Sequence, residues 1–191
     1  MLNVAEAIRQ RRSIRSFKSI PVPIAMIHEM LEAARLAPSG SNSQPWRFVV
    51  VTDPAEKKAL RSLCFNQAFV EEAGVDFVIC ADLSSYSKDA YKKRQQESID
   101  AGLVLASTID ESSYQRYLDS INTDVTQQIT PATANTYIAA EHIVLMATAL
   151  GLGSCWVGGI NSYKAIRDLL SIPRGIMVLG VIAVGYSNIE P

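Results

Sequence analysis

The stretch from Ile143 to Ile160 contains no Asp, Glu, Lys or Arg, and this constrains the fold more than any other feature of the sequence. A helix that crosses a bilayer needs about 20 consecutive apolar residues, whereas four glycines interrupt this stretch. Gly151 follows a helical pattern from Thr130 to Leu150, at the position where glycine commonly ends a helix. The stretch therefore predicts a buried central helix, a glycine turn and a short strand at 154–157, instead of a membrane span.

Helical and extended patterns follow one another along the rest of the chain. Asn3 with Glu6 forms a capping-box pair, and apolar residues from Ile24 to Ala34 recur with the period of a helix that ends before Pro38. Further helices are predicted to begin at Asp53, Thr130 and Asn161, and strands to span 46–51, 75–81, 154–157 and 176–184. Helices outnumber strands, which favours an α+β fold with a central sheet wrapped by helices.

The length of 191 residues suits a single domain, 1–191. Residues 83–128 are rich in serine and charge, with helical periodicity at 86–99 and 114–125. This segment is too short and too weakly apolar to fold alone, so we expect a variable helical excursion from the domain.

Composition excludes several classes of function. A formal charge of −1 gives no reason to expect nucleic acid or an anionic membrane as a partner. Three widely spaced cysteines and two histidines lack the spacing of a disulfide framework or a metal site. That spacing leads us to expect no bound metal. The start of the chain lacks the layout of a signal peptide, so we expect a cytoplasmic protein.

A basic cluster follows the first helix, in the run Arg11-Arg12-Ser13-Ile14-Arg15. Three guanidiniums and a hydroxyl can bind a phosphate bidentately and leave a donor for another group. A solvated basic helix end explains the same run, because cations also suit the carboxyl end of a helix.

Two further segments could bind a ligand. The loop from Pro38 to Trp46 holds short polar side chains between two prolines, which suits a polyhydroxyl chain or a heteroaromatic edge. The glycines from Gly151 to Gly159 let backbone N–H groups approach a flat ligand closely. An ordinary surface loop and a tight turn needed only for packing remain the alternatives.

Together these segments resemble the nitroreductase family of flavoproteins. The likeness rests on the Arg-Arg-Ser-Ile-Arg-Ser-Phe start, the Ala-Pro-Ser-Gly-Ser-Asn-Ser-Gln-Pro-Trp loop, the Gly-Leu-Gly-Ser-Cys-Trp-Val-Gly-Gly turn and the closing Ile-Ala-Val-Gly-Tyr strand. It implies a central, mainly antiparallel sheet flanked by helices, in an intertwined homodimer with FMN at each subunit boundary. Residues 83–128 lie outside the likeness, because that part varies between family members.

The resemblance also implies roles for single residues. Arg11, helped by Arg12 and Ser13, would pair with the FMN phosphate, and Arg15 would reach the N1/C2-carbonyl edge of the ring. A fixed guanidinium at that edge favours the reduced, negatively charged flavin. The loop would arrive from the other subunit, and the turn would lie beside N5. The remaining implied contacts are Pro38, Ser39, Asn42, Gln44, Gln67 (or Asn66 in its place), Val157, Gly158 and Gly159.

Two departures from the family pattern stand out. Family members often carry Glu where this chain has Gly158, so no carboxylate is available there. Members usually continue past the Gly-Tyr with a basic segment that completes the phosphate site, whereas this sequence has no basic residue beyond Arg174. The phosphate would then be met by Arg11 and Arg12 or by Lys92, Lys93 or Arg94, and we expect weaker FMN retention than is usual in the family.

The implied activity is a ping-pong reaction. NADH or NADPH would pass hydride to flavin N5, and a small oxidant such as a nitroaromatic or a quinone would then take it. The alternatives are a specialised flavoenzyme that dehalogenates or oxidises a biosynthetic intermediate, and a flavin-binding protein without turnover. Absorption spectra recorded before and after each nicotinamide donor distinguish an enzyme from a binder.

Overall fold

The computed structural model describes residues 2–105, 110–121 and 125–189. The strands are β1 (Trp46–Val51), β2 (Val75–Asp82), β3 (Gly153–Val157) and β4 (Ile176–Gly185). The helices are α1 (Val4–Gln10), α2 (Ile24–Arg35), α3 (Pro54–Leu63), α4 (Ala68–Glu72), α5 (Lys88–Asp100), α6 (Glu111–Ser120), α7 (Val125–Ala149) and α8 (Tyr163–Leu169). Short 3-10 turns lie at Gly40–Asn42 and Leu83–Tyr86.

The four strands form one antiparallel sheet in the order β1-β2-β4-β3. Val78 of β2 lies between Val49 and Val181, and Val181 pairs in turn with Val157. β1 and β3 are therefore the two edges of this sheet. The α+β class and the antiparallel sheet expected from the sequence are confirmed.

Helices cover both faces of the sheet. β2 alternates its buried side chains, so that Val78 packs in a cluster with Leu60 of α3, whereas Phe77 packs on the other face with Met30 of α2 and Ile143 of α7. Because both faces are covered, β2 reads as a nearly continuous apolar run instead of an alternating one. α7 is the central helix that the uncharged stretch predicts.

The start of α7 differs from the expectation. The Thr130-Pro131 pair predicts the first turn, but the helix begins at Val125 and contains Pro131. Proline has a helical φ, but inside a helix it lacks the N–H that would donate to the carbonyl four residues earlier, and its ring crowds that carbonyl. The helix therefore continues through Pro131 at a cost in stability, and the residue does not mark its first turn. The other end agrees: Gly151 has φ +80°, and the Leu152 N–H donates to the Ala147 carbonyl at 2.9 Å.

The start of α8 also differs, by one residue. Ser162, and not Asn161, caps the helix, since the Ser162 hydroxyl accepts from the Ala165 N–H at 3.1 Å. Asn161 is engaged elsewhere, because its N–H donates to the Leu63 carbonyl at 2.8 Å. Its side-chain amide donates to the Ser62 carbonyl.

In the predicted excursion, 83–128, the described residues form a 3-10 turn, α5, α6 and the first turn of α7, with turns and bends such as 101–104 between them. The rest of that prediction, at 106–109 and 122–124, lies outside the described residues. Over the described ranges, no helix combines the length and apolarity that crossing a membrane requires.

Candidate functional site

The basic cluster lies against the outer edge of β3. α1 ends at Gln10, and the extended chain that follows forms a parallel bridge between Ser13 and Ser154. The Ile14 N–H donates to the Ser154 carbonyl at 2.9 Å. The first motif of the sequence is thereby attached to the strand of the third.

Close packing makes this attachment possible. A Cβ atom on Gly153 would lie 2.7 Å from Cγ1 of Ile14, so only glycine lets the two segments approach this closely. Ile14 is buried there, while Arg15 beside it is exposed.

The guanidiniums of Arg11 and Arg15 both affect the pKa of one residue of β3, Cys155. Burial raises the pKa of the Cys155 thiol, and the positive charges of Arg15 and Arg11 oppose that rise. Both guanidiniums therefore lie close enough to Cys155 for their charges to be felt there. Arg11 is half-buried and Arg15 exposed, which leaves both within reach of an anionic ligand.

Arg12 has a different environment from its neighbours. Its Nη1 donates to the carbonyls of Arg9 and Arg11, both at 2.8 Å, at the carboxyl end of α1. The sequence allowed two interpretations of the basic run, a phosphate site or a solvated helix end. For Arg12 the structure favours the helix end. Ser13 is exposed beside it.

The glycine turn begins where β3 ends at the buried Val157. Gly158 is exposed, and a Cβ built on it would meet nothing within 4 Å. Gly159 is crowded instead, because its Cβ would lie 3.0 Å from Cδ2 of Phe65 and 3.2 Å from Nε2 of Gln67. The backbone at Gly158 therefore faces open space in which a flat ring can approach.

Gln67 connects the third helix to this turn. Its Nε2 donates to the Cys64 carbonyl at 2.8 Å and to the Gly159 carbonyl at 3.2 Å. Asn66, the alternative, is exposed with φ +55°. Contact with the turn favours Gln67 between the two.

The polar loop has a strained backbone. Ser41, Asn42 and Gln44 have φ of 52°, 49° and 43°, which is uncommon for residues other than glycine. The Ser39 hydroxyl accepts from the Gln44 N–H at 3.0 Å, and Asn42 Oδ1 accepts from Gln44 Nε2 at 2.6 Å. Except for half-buried Ser39, the predicted contact residues of the loop, Pro38, Asn42 and Gln44, are exposed.

Within a single chain, the polar loop lies far from the basic cluster and from the glycine turn. The loop leads into β1 at one edge of the sheet, whereas the basic cluster and the glycine turn adjoin β3 at the other edge. With strands about 4.8 Å apart, three strand spacings separate these edges by roughly 14 Å. Within one chain, Arg11 and Arg15 thus lie beside β3, Gln67 contacts the turn that follows β3, and the loop lies at the other edge of the sheet.

The assembled part fits FMN chemically. Two guanidiniums supply the charge that a phosphate needs, and the open backbone at Gly158 leaves room for a planar ring. The described residues contain no group of three or more side chains that could hold a metal ion.

Sequence reasoning missed the residues that hold the loop. Asn135 of α7 accepts the Gly40 N–H on its Oδ1 at 3.1 Å, and Arg94 Nε donates to the Ser41 carbonyl at 3.1 Å. Arg94, one of the residues that the sequence suggests for the phosphate, therefore lies beside the loop and at the sheet edge opposite Arg11 of its own chain. Asn135 is one of several polar residues in α7, so no local sequence signal singles it out.

Comparison with known proteins finds relatives over nearly the whole chain. A Thermus thermophilus protein named NADH dehydrogenase is 36% identical over 187 residues, which is 97% of this chain and 87% of that protein. A Bacillus subtilis protein named FMN reductase (NADPH) is 29% identical over 190 residues, covering 97% of this chain and 66% of that protein.

Solved structures share the fold. A nitroreductase-like protein of Streptococcus mutans matches with a TM-score of 0.83 and 25% identity, covering 97% of this chain and 89% of its own. A protein of Exiguobacterium sibiricum solved in complex with FMN matches with a TM-score of 0.80 and 21% identity, covering 100% and 92%. The family model described as the Nitroreductase family matches residues 8–186. The chain, from its basic start to its closing strand, belongs to the nitroreductase family.

Proposed function

We propose that this protein is an FMN-dependent NAD(P)H oxidoreductase that passes hydride to a small oxidant such as a nitroaromatic or a quinone. The observation that carries the proposal is the meeting of Arg11 and Arg15 at β3, directly before the open turn at Gly158. The names of relatives support it, since they include an FMN reductase (NADPH) and an NADPH-flavin oxidoreductase.

The residues divide the work of binding. Arg11 pairs with the phosphate, and Arg15 stabilises the negative charge that reduction places on the pyrimidine side of the ring. Gln67 fixes the turn at Gly159 through its Nε2 and so orients the backbone of Gly158 toward the ring. Bound FMN supplies the redox chemistry, and the chain supplies charge, orientation and exclusion of water.

The loop at the far edge of the sheet supports a homodimer. Ser39, Asn42 and Gln44 can complete a site only on another chain, because their own β3 lies three strands away. Exposed Val4 and Ile8 of α1 offer an apolar surface for this pairing. Beside Val4 is an apolar recess of about 320 Å³ between α1, α2 and α7. We propose that it lies within the dimer interface.

We extend the proposal to the whole chain: 1–191 forms one FMN-binding domain from which 83–128 is a variable helical excursion. The three cysteines are buried thiols without disulfides. This state suits the reducing cytoplasm, where we place the protein. His142 has a structural part, because its Nδ1 is hydrogen-bonded to the Ala33 carbonyl at 2.9 Å.

A heterodimer tests both the cofactor site and its division between chains. One chain carries Arg11→Ala with Arg15→Ala, and the other carries Ser39→Ala with Asn42→Ala. Each homodimer should retain little FMN and show little bleaching of the flavin band by NADH or NADPH. A doubly tagged heterodimer should regain about one intact site of its two, because each site takes its arginines and its loop from different chains.

Wild-type protein without flavin or without bleaching would contradict the oxidoreductase. Two heterodimer sites as weak as those of the parents would show instead that each chain builds its own site.

A further inference from the structure

The loop at 39–44 needs external support to keep its shape. Non-glycine residues with positive φ cost of order 1 kcal/mol each, and Ser41, Asn42 and Gln44 all adopt it. The bonds within the loop join Ser39, Asn42 and Gln44 to one another and do not fix the loop relative to the sheet.

Side chains outside the loop supply that support. Arg94 Nε donates to the Ser41 carbonyl, and two further side chains, Asn135 and Tyr86, form a hydrogen-bonded network. Asn135 Oδ1 accepts the Gly40 N–H at 3.1 Å, and Asn135 Nδ2 donates to the Tyr86 hydroxyl at 2.7 Å and to the Pro131 carbonyl at 2.9 Å. The Ser43 hydroxyl donates to the Tyr86 hydroxyl oxygen at 2.9 Å. The network therefore grips the loop at both ends of its strained segment.

The supporting residues belong to well-packed elements. α7 is buried against the sheet through Ala139 and Ile143, and Tyr86 ends the 3-10 turn that follows β2. Ser43 is only 4% exposed. The loop is thus tied to the core, while Asn42 and Gln44 remain exposed at its surface.

We propose that Asn135 and Tyr86 are positioning residues for the flavin site of the partner subunit. They hold the loop in the strained form from which Ser39, Asn42 and Gln44 reach the cofactor. This inference rests on the proposed function, in which the loop completes a site across the dimer. Neither residue touches the cofactor itself.

Tyr86→Phe is the central test, because it removes one oxygen that receives two hydrogen bonds. We expect FMN to dissociate about tenfold more readily from the dimer, equal to about 1.4 kcal/mol, as measured by recovery of flavin fluorescence. Tyr186→Phe is the matched control, since among the described residues that hydroxyl makes one hydrogen bond, to the Met26 sulfur at 3.9 Å. Its FMN dissociation constant should equal that of the wild type.

Two replacements of Asn135 refine the test. Asn135→Asp keeps an acceptor for the Gly40 N–H and can accept the Tyr86 hydroxyl proton, so it should bind FMN within about threefold of wild type. Asn135→Leu loses both bonds and should bind at least as weakly as Tyr86→Phe. Should Asn135→Leu fail to fold, Tyr86→Phe still decides.

A double-mutant cycle shows whether the effect travels through the loop. In a Ser39→Ala, Asn42→Ala background, Tyr86→Phe should weaken FMN binding less than twofold, because most of what it positions is gone. An equal loss in both backgrounds, or unchanged binding by Tyr86→Phe in the wild-type background, overturns the positioning role and leaves the proposed function intact. Wild-type protein that binds no FMN overturns both.

Discussion

At the scale of single residues, Asp76 is the most unusual side chain. It is fully buried in β2, and neither carboxylate oxygen has a hydrogen-bond partner among the described residues. Burial raises its pKa well above the ordinary 3.8, and the positive charge of Lys57 only partly opposes the rise. Lys57 itself is bonded to the Ala73 carbonyl at 2.6 Å. The carboxyl group therefore destabilises the fold when it is ionised.

This predicts the pH dependence of stability. Because the folded chain keeps the Asp76 proton where the unfolded chain has lost it, stability falls as pH rises from 3.8 towards the raised pKa. Asp76→Asn removes this loss. The free energy of unfolding of the variant should therefore rise relative to that of the wild type by about 1.4 kcal/mol per pH unit within that interval. Urea unfolding at a series of pH values measures it.

Asp168→Asn is the control for that experiment. Its hydrogen bond from Lys164 lowers the Asp168 pKa, so the contribution has the opposite sign and, at an exposed site, should be small. Stability curves for Asp76→Asn and wild type that run parallel across the interval would contradict the argument.

At the scale of elements, the cap of α8 offers a direct comparison. Ser162→Ala removes the acceptor of the Ala165 N–H and should lower the free energy of unfolding by about 1 kcal/mol. Asn161→Ala, at the position that the sequence suggested, should cost less, because its side chain makes one 3.2 Å bond to the Ser62 carbonyl. Denaturant midpoints with unchanged slopes measure both, and a reversed order would return the cap to Asn161.

The strands could be predicted because apolar runs bounded by glycine, proline or aspartate mark them locally. β1 has the predicted bounds, Trp46–Val51. The start of α7 could not be read the same way, since Pro131 looks like a first turn whether or not a helix precedes it. A local sequence pattern marks where a helix could begin or end, but it does not show whether the helix continues through that residue.

For the site, the sequence pointed to the segments but not to their supports. Arg11 and Arg15 lie beside β3, which leads into the glycine turn, and their roles toward FMN remain predictions. Asn135 escaped notice because its partner Gly40 is 95 residues away. The bond depends on where the chain returns after the whole excursion, which no local pattern records.

At the scale of the molecule, the exposed face of α1 predicts how the chains pair. Val4 and Ile8 are 72% and 58% exposed, so glutamate at both positions should leave each chain folded. We expect Val4→Glu with Ile8→Glu to give monomers that retain little FMN, as seen by sedimentation velocity and the flavin spectrum.

Leu103→Glu, at a position that is 79% exposed in the excursion, is the control and should remain dimeric with FMN bound. If the α1 variant were a monomer that still bound flavin, the proposal that two chains share the site would be wrong.

The order of strands has a thermodynamic consequence. The loop and the glycine turn occupy opposite margins of one sheet. If two chains share the cofactor, as we propose, it binds the assembled pair and not the separate subunits. Mass action then links the two equilibria, so that added flavin tightens subunit association and dilution of the protein promotes flavin release. Retention of the yellow colour becomes a function of protein concentration.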